Sequence, residues 1–269
     1  MINYRHFTHL LSLAQQLELS RLDSLKLLAN YYFSRLGTTR TPCFVFRLSR
    51  GGKTLQVPLR PNGTDYTVLV DVFVKQLYKI RASNVRTIVD LGANIGLATL
   101  YLKTLYPDAQ VACVEPFPDN VDLLTKTLRL NHIEDARVFA AAIGTDDGAA
   151  VLKIGSDSTD HSLVPAVNAR PLSSIEVPQI SCASLLERLG WANIDLLKVD
   201  IEGYEKTLFS ARTEWLDRTR YIVGEAHAHV GYGLSEVQRD LSRHGFTVRE
   251  QHRDPAHGLI VFTASRDLP

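Results

Sequence analysis

The chain has 269 residues, of which 45% are hydrophobic and 22% are charged, a composition typical of a globular protein with a substantial core. Its formal net charge of +1 argues against the strongly basic face of a nucleic-acid-binding protein. No apolar run approaches the ~20 residues needed to cross a bilayer, and the opening MINYRHFTHL has no signal-peptide core. We therefore expect a cytoplasmic protein that binds neither nucleic acid nor membrane.

Helices are predicted at the beginning of the chain. Apolar residues recur at helical spacing across residues 10–17 and 22–32. Ser20, with Asp23 three residues later, is typical of a capping box between two helices, and Gly37 is placed to end the second one. We expect these helices to pack on the main domain or on the partner of a homodimer; a substrate lid is the alternative.

The rest of the chain predicts an α/β domain. FVFRLS and TLQVPLR, separated by RGG, predict a β-hairpin, and a turn at PNG is followed by a helical pattern. Helical segments are expected near Asn94, Asp119, Ser184, Gly203 and Ser235. They alternate with predicted strands, which are TIVDL, QVACVE, ARVFAA, IDLLKVD, YIVGEA, FTVRE and GLIVFTA.

This alternation predicts a mostly parallel, seven-stranded sheet with helices on both faces. Two further strands, AAVLKIG and SIEVPQIS, interrupt the alternation around the polar loop GSDSTDHSLVP, and Asp146, Asp147 and Gly148 predict a hairpin turn before the first of them. We divide the chain into an N-terminal helical and hairpin extension, residues 1–80, and a main α/β domain, residues 81–269.

A glycine-bearing turn follows the first strand of the main domain. Asp90, Gly92, Asn94 and Gly96 lie where that strand ends and a helix begins, and glycine there allows a ligand to approach the backbone closely. The third glycine of a dinucleotide-binding G-x-G-x-x-G motif is missing. An acid before the glycines would repel a pyrophosphate but suits a cationic ligand. Glu115, at the end of the next strand, is placed to accept hydrogen bonds from both hydroxyls of a ribose.

The motifs VDLGANIGLAT, VEPFPDN, AAIGTDDG and LLKVDIEGYE resemble those of the FkbM-type methyltransferases, which are class I S-adenosylmethionine-dependent enzymes. The upstream segment LRPNGTDYTVLVDVFVKQLY also resembles the one that precedes their glycine turn. The resemblance covers about residues 55 to 230. It implies a Rossmann-like class I methyltransferase fold, S-adenosylmethionine as cofactor, and O-methylation of a hydroxyl on a sugar, polyketide or related secondary metabolite. The cofactor contacts are then expected from Asp90, Gly92, Asn94, Gly96, Glu115, Pro116, Ala142, Ile143 and Asp200.

Methyl transfer to an alcohol needs a group that accepts the hydroxyl proton. Asp200 ends the strand that in related enzymes faces the reactive methyl group, although it could also cap the helix that follows. His161, in the polar loop, and His227, after the fifth strand of the main domain, are the other candidate bases. Glu202, Glu225 and His161 are the expected substrate-binding residues. Strand alternation would place Glu225 and His227 on one side, and His229 with them if the strand continues that far.

Asp200, Glu202, Glu225 and His227 also have the residue types of an oxygen and nitrogen metal site. Capping and salt bridges explain these acids equally well, so a divalent metal is not favoured and no metal ligand is assigned. Nucleic-acid methylation is disfavoured because Asp200-Ile201-Glu202-Gly203 replaces the N/D-P-P-Y/F sequence. The alternatives are a nicotinamide-dependent oxidoreductase and a non-catalytic cofactor-binding module of a larger assembly.

Overall fold

A computed structural model of the chain describes residues 10, 12–35, 43–154 and 173–266. Its strands are β1 Phe44–Arg50, β2 Lys53–Leu59, β3 Thr87–Leu91, β4 Gln110–Val114, β5 Ala136–Phe139, β6 Ala142–Gly144, β7 Gly148–Ile154, β8 Ser173–Ser181, β9 Ile194–Val199, β10 Thr219–His227, β11 Thr247–Asp254 and β12 Leu259–Ser265. Its α-helices are α1 Arg21–Arg35, α2 Gly63–Leu69, α3 Leu97–Leu105, α4 Pro118–Leu130, α5 Cys182–Leu189, α6 Glu205–Ser210 and α7 Leu234–Ser242. Residues 12–16 form a helical segment before α1.

The main sheet has seven strands in the order β11-β12-β10-β9-β3-β4-β5. The strands from β10 to β5 pair in parallel, and β12 runs antiparallel to both of its neighbours. Helices α3 and α4 bury apolar side chains against one face, and α5, α6 and α7 do so against the other. The predicted α/β architecture, with its mostly parallel seven-stranded sheet, is therefore confirmed.

The central strands are almost entirely apolar because both of their faces are covered. In β3 the residues from Ile88 to Leu91 are all buried, and β9 is buried at both Leu196 and Leu197. Because β3, β4, β5 and β9 run parallel to one another, their carboxyl ends meet at one edge of the sheet. An open parallel sheet of this kind binds its ligands at that edge.

The N-terminal segments share the core of the sheet. Buried leucines of residues 10–17 belong to the same apolar cluster as the hairpin β1–β2 and helix α3. The hairpin is also tied to α4, because Asn131 accepts a hydrogen bond from the Gln56 amide at 2.8 Å and donates one to its carbonyl at 2.7 Å. The division at residues 80 and 81 stays a prediction.

Ser20 caps the second helix as expected, since its hydroxyl oxygen accepts a hydrogen bond from the Asp23 amide at 3.1 Å and donates to the Asp23 carboxylate at 2.7 Å. The predicted helix stop, Gly37, lies outside the described residues. Among the described helices, none is long and apolar enough to cross a membrane.

A small second sheet follows β5, with the order β6-β8-β7. Strand β8 pairs in parallel with β6 and antiparallel with β7. The expectation that Asp146, Asp147 and Gly148 form a hairpin turn is wrong, because the strands they connect lie on opposite sides of β8. Asp147 instead accepts a hydrogen bond from the Ser181 amide, 2.8 Å away, at the end of β8.

Candidate active site

A cleft opens beyond the carboxyl ends of β3, β4 and β9. Most of the predicted cofactor-binding residues line it, namely Gly92, Asn94, Glu115, Pro116, Ala142 and Ile143. Asp200 and Glu202 line it as well, from the loop after β9. Given the strand order, Ala142 lies on the β5 side of the cleft and Asp200 on the β9 side. The tertiary fold therefore brings together residues that the sequence placed at separate strand ends.

Two glycines give the turn after β3 its shape. Gly92 has a φ of +72°, and a Cβ atom there would lie 1.8 Å from the carbonyl oxygen of Asp200. Gly96 has a φ of +85°, and a Cβ atom there would lie 2.6 Å from the side chain of Leu124. Gly92 thus lets the loops after β3 and β9 approach each other, whereas Gly96 lets α3 and α4 pack closely. Gly96 lies behind the cleft rather than in its lining.

Glu115 is fixed by the turn and by the start of α4. Its Oε2 accepts a hydrogen bond from the Asn94 amide at 2.8 Å, and its Oε1 accepts from the Phe117 amide at 3.0 Å and from Asn120 Nδ2 at 3.3 Å. A carboxylate has about four acceptor positions, so roughly one remains. Glu115 therefore has room for one ribose hydroxyl rather than two. Asn94 Oδ1 accepts no hydrogen bond from a described residue and offers a second acceptor in the lining.

Asp90 does not line the cleft. Its carboxylate is fully buried, with Oδ1 3.2 Å from Lys198 Nζ and Oδ2 accepting a hydrogen bond from the Thr99 hydroxyl at 2.6 Å. Lys198 also donates to the carbonyl oxygen of Gly92 at 2.7 Å. The charge of Asp90 is thus balanced inside the protein, and its effect on a ligand would be exerted through the glycine turn. A direct contact between Asp90 and a cationic ligand, as the sequence predicted, gains no support from this geometry.

Asp200 and Glu225 are bridged by a tyrosine. The Tyr78 hydroxyl oxygen lies 3.0 Å from Asp200 Oδ2 and 2.8 Å from Glu225 Oε1. A hydroxyl has one hydrogen to donate, so two hydrogen bonds to carboxyl groups require a second hydrogen on one of those groups. Burial and the nearby Asp200 raise the pKa of Glu225 well above its usual range. The raised pKa of Glu225 favours its carboxyl group as the one that holds this second hydrogen, so that the Tyr78 hydroxyl donates to Asp200.

Glu202, Glu205 and His227 form a second cluster beside Asp200. The Nε2 of His227 lies 3.4 Å from Glu202 Oε2, and its Nδ1 lies 3.2 Å from Glu205 Oε1. Burial acts to lower the pKa of His227, but the two carboxylates outweigh it and raise this pKa to about 12. A protonated imidazole has no lone pair with which to accept a proton. Of the described candidate bases, Asp200 is therefore the one whose geometry fits that role, and the general-base role predicted for His227 does not fit.

The remaining predicted residues are placed as follows. Glu225 is buried behind Asp200 and does not line the cleft, so its predicted contact with substrate is indirect at most. His161 lies outside the described residues, as does the side chain of His229. Strand β10 ends at His227, and a short 3₁₀ turn over Ala228–Val230 follows it.

Tyr78, Lys198 and Glu205 are site residues to which the sequence assigned no role. Tyr78 is the last residue of the resembling segment LRPNGTDYTVLVDVFVKQLY, and the other two belong to LLKVDIEGYE. The motifs therefore marked the right segments. Contacts across as many as 147 residues of sequence, such as the one between Tyr78 and Glu225, leave no periodic signal that would reveal them.

The strand order, together with a cleft at the carboxyl ends of the parallel strands, defines a Rossmann-like class I methyltransferase fold. A sequence profile described as "Methyltransferase FkbM domain" matches residues 90–248, which is more than half of the chain. The chain belongs to the FkbM methyltransferase family.

Three methyltransferases of other organisms are similar to the chain in sequence. The chain is 29% identical to Methyltransferase sdnD of Sordaria araneosa over 215 residues, which cover 66% of this chain and 80% of that protein. It is 25% identical to the 31-O-demethyl-FK506 methyltransferase FkbM of Streptomyces tacrolimicus over 211 residues, with the same shares of the two chains. It is 24% identical to Methyltransferase 1 of Beauveria bassiana over 154 residues, which cover 50% of this chain and 62% of that protein.

A solved structure supports the same fold. The crystal structure of a methyltransferase FkbM from Methylobacillus flagellatus KT superposes with a TM-score of 0.52 at 15% identity. The match covers 97% of this chain and 59% of the Methylobacillus chain. This chain thus spans less than two thirds of the Methylobacillus chain, and the same holds for the Beauveria protein.

Proposed function

We propose that the protein is an S-adenosylmethionine-dependent O-methyltransferase that acts on a hydroxyl group of a sugar or a secondary metabolite such as a polyketide or glycoside. The observation that carries this proposal is the continuity of the cleft. Glu115, Ala142 and Asp200 line the same cleft. Glu115 and Ala142 have the side chains needed to bind a nucleoside, and the carboxylate of Asp200 can accept a proton from a hydroxyl group.

The cofactor side of the cleft offers the contacts that a methylated nucleoside needs. Glu115 has one acceptor position left for a ribose hydroxyl, and Asn94 Oδ1 offers another. Ala142 and Ile143 supply an apolar surface for an adenine ring. When bound, S-adenosylmethionine supplies an electrophilic methyl group on a sulfonium. The residues of the chain then have to hold the ribose, align the acceptor oxygen and exclude water.

Asp200 is equipped to accept the proton of the methyl acceptor. Its Oδ2 receives the Tyr78 hydrogen bond at 3.0 Å, and the same oxygen lies 3.8 Å from Lys198 Nζ. Its Oδ1 accepts no hydrogen bond within the described part of the chain and remains available to an acceptor hydroxyl. A positioned base of this kind accelerates a proton transfer by about 10²–10⁴-fold.

An oxygen acceptor is favoured because a carboxylate matches the need of an alcohol, which is barely ionised at neutral pH. The relative from Streptomyces tacrolimicus is named for methylating 31-O-demethyl-FK506, an oxygen acceptor. We extend the same class of acceptor to this chain as a proposal. A small hydroxylated molecule is the proposed partner, with a homodimer through the N-terminal helices as a second proposal and a cytoplasmic location as a third.

The test incubates purified protein with methyl-labelled S-adenosylmethionine and a panel of hydroxylated sugars and natural products. We expect label on a hydroxyl oxygen of at least one class, and a loss of about 10²–10⁴-fold in turnover for Asp200→Asn with cofactor binding retained. Unchanged turnover of that variant would remove Asp200 from the mechanism. Label on tRNA but on no hydroxylated metabolite would refute the substrate class.

Thermal unfolding separates the remaining alternatives, because a ligand that binds the native state raises the melting temperature. We expect S-adenosylhomocysteine to raise it and NAD to leave it unchanged. Stabilisation by NAD alone would support the nicotinamide-dependent oxidoreductase. Stabilisation by S-adenosylhomocysteine without turnover of any acceptor would support the non-catalytic module.

A further inference from the structure

We propose that Asp200, Glu202 and His227 bind a divalent metal ion at the β9 side of the cleft. One ligand atom from each of these residues lies within 4.8 Å of the other two, close enough to surround a single ion. Carboxylate oxygens combined with an imidazole nitrogen suit Mn²⁺ or Zn²⁺, whereas Ca²⁺ takes six to eight oxygen ligands. The proposal adds a cation to the proposed methyl-transfer site but stands on contacts that do not depend on a cofactor.

The ligands are carried by two neighbouring strands. Asp200 directly follows β9, and His227 is the last residue of β10. These strands pair in parallel, with Gly224 of β10 opposite Val199 of β9. Glu202 follows in the loop after β9. Because the paired strands fix the two loops, the ligand atoms are held together by the sheet itself.

The histidine is oriented as a metal ligand is oriented in proteins. Metal-binding histidines usually donate the hydrogen of their second ring nitrogen to a carboxylate or carbonyl. His227 Nδ1 lies 3.2 Å from Glu205 Oε1, and the Glu205 side chain is fully buried. Glu205 is itself fixed by the Ile201 amide, which donates to the same oxygen at 3.0 Å. This arrangement leaves Nε2 facing Glu202, and a metal ion there would replace the proton on Nε2.

Two carboxylate oxygens independently support a bound cation at this position. Asp200 Oδ1 and Glu205 Oε2 are shielded from solvent, and neither accepts a hydrogen bond from the residues that the structure describes. Buried carboxylate oxygens without a donor are uncommon in native structures and require an explanation such as an ion. Tyr78 holds Asp200 by its other oxygen, so Oδ1 is left for coordination, and the second lone pair of Oδ1 stays available to an acceptor hydroxyl.

The charge balance points the same way. Three carboxyl groups, those of Asp200, Glu202 and Glu205, gather around His227. The nearby Lys198 lies 3.2 Å from Asp90 but 3.8 Å from Asp200, so much of its charge is already balanced. A divalent ion would compensate the excess of negative charge without any rearrangement of the backbone.

Such an ion would also serve the proposed function. Three protein ligands leave coordination positions open, and an acceptor hydroxyl bound at one of them would have its pKa lowered by the metal. This consequence depends on the proposed methyl transfer, whereas the binding of the metal does not. The two can therefore fail separately.

The proposal is tested by isothermal titration calorimetry. MnCl₂, and separately ZnCl₂, is titrated into the chelator-treated protein in the absence of S-adenosylmethionine. We expect saturable binding of one ion per chain. His227→Ala should abolish it, and Glu205→Gln should weaken it about 10- to 100-fold, as the loss of a carboxylate behind a metal-bound histidine does. His252→Ala is the matched control, because His252 is exposed on β11, and should bind as the wild type does.

Glu202→Gln guards against a folding defect, since it removes a ligand charge but keeps the size of the side chain. It should weaken metal binding at least tenfold while the circular dichroism spectrum and the melting temperature of the ligand-free protein are kept. Absence of saturable binding by the wild type would overturn the metal site, and so would wild-type affinity in both His227→Ala and Glu202→Gln. Metal binding without methyl transfer to any acceptor would leave the site standing and count against the proposed function alone.

Discussion

Replacing Glu225 by glutamine tests the proton that the site is inferred to carry. Glu225 is buried, and the Tyr78 hydroxyl lies between its carboxyl group and that of Asp200. If Glu225 is a neutral acid, glutamine mimics its shape and its ability to donate to Tyr78. The variant should therefore fold, and its stability should differ from that of the wild type in a way that depends on pH.

The size of the effect follows from linkage between proton binding and folding. In the unfolded chain Glu225 ionises with a pKa of ~4.3, whereas burial keeps it protonated well above that in the folded protein. Because its folded pKa is raised, its contribution to stability is fully present below ~4.3 and declines as the pH rises toward the folded pKa. The decline is about 1.4 kcal/mol for each pH unit between the unfolded and the folded pKa. Glutamine does not titrate, so the free energy of unfolding of the variant does not decline in this way.

Urea denaturation at pH 5, 6 and 7, in the presence of a metal chelator, gives the free energy of unfolding of each protein. We expect the difference between Glu225→Gln and the wild type to shift in favour of the variant as the pH rises, by about 1.4 kcal/mol per pH unit while Glu225 stays protonated in the folded protein. Glu176→Gln, at an exposed position of β8, is the control and should show a constant difference. A constant difference for Glu225→Gln as well would refute the inference that Glu225 is protonated.

Three further substitutions test separate contacts. Gly92→Ala would place a Cβ atom 1.8 Å from the Asp200 carbonyl oxygen at a φ of +72°, and should lower the free energy of unfolding by at least ~2 kcal/mol; unchanged stability would show that the loop can move aside. Lys198→Met leaves the fully buried Asp90 without its cation, so urea denaturation should show a free energy of unfolding lowered by about 3–5 kcal/mol. A decrease below ~1 kcal/mol would contradict this reasoning. Glu115→Gln replaces an acceptor oxygen by an amide, and calorimetry should show S-adenosylhomocysteine binding weakened about 10- to 100-fold, with equal affinity counting against a ribose contact.

The sheet could be predicted because its strands are buried on both faces. TIVDL was placed at the residues that form β3, and the other central strands were placed within two residues of their ends. Helix α3 begins at Leu97 rather than near Asn94, because Gly96 still has a left-handed conformation at its N-cap. The connection from β6 to β7 was misread as a hairpin, because local turn residues do not show that β8, far along the chain, inserts between the two strands.

Of the candidate site, only the residues at the ends of predicted strands could be predicted from the sequence. Asp200, Glu202 and Glu115 meet at the cleft because the carboxyl ends of parallel strands share one edge of the sheet. The burial of Asp90 beside Lys198 was not foreseeable, since both residues lie on strands and either face of a strand could have carried them. Tyr78 contacts Asp200 across 122 residues of sequence, a pairing that only the folded chain defines.

The central claim is that the cleft beyond β3, β4 and β9 is the binding site of the methyl donor. A crystal structure of the protein with S-adenosylhomocysteine tests it most directly. We predict a ribose hydroxyl within hydrogen-bond distance of Glu115, the adenine against Ala142 and Ile143, and the sulfur on the side of Asp200. A ligand bound elsewhere on the chain, or a ribose with no contact to Glu115 and a sulfur directed away from Asp200, would contradict it.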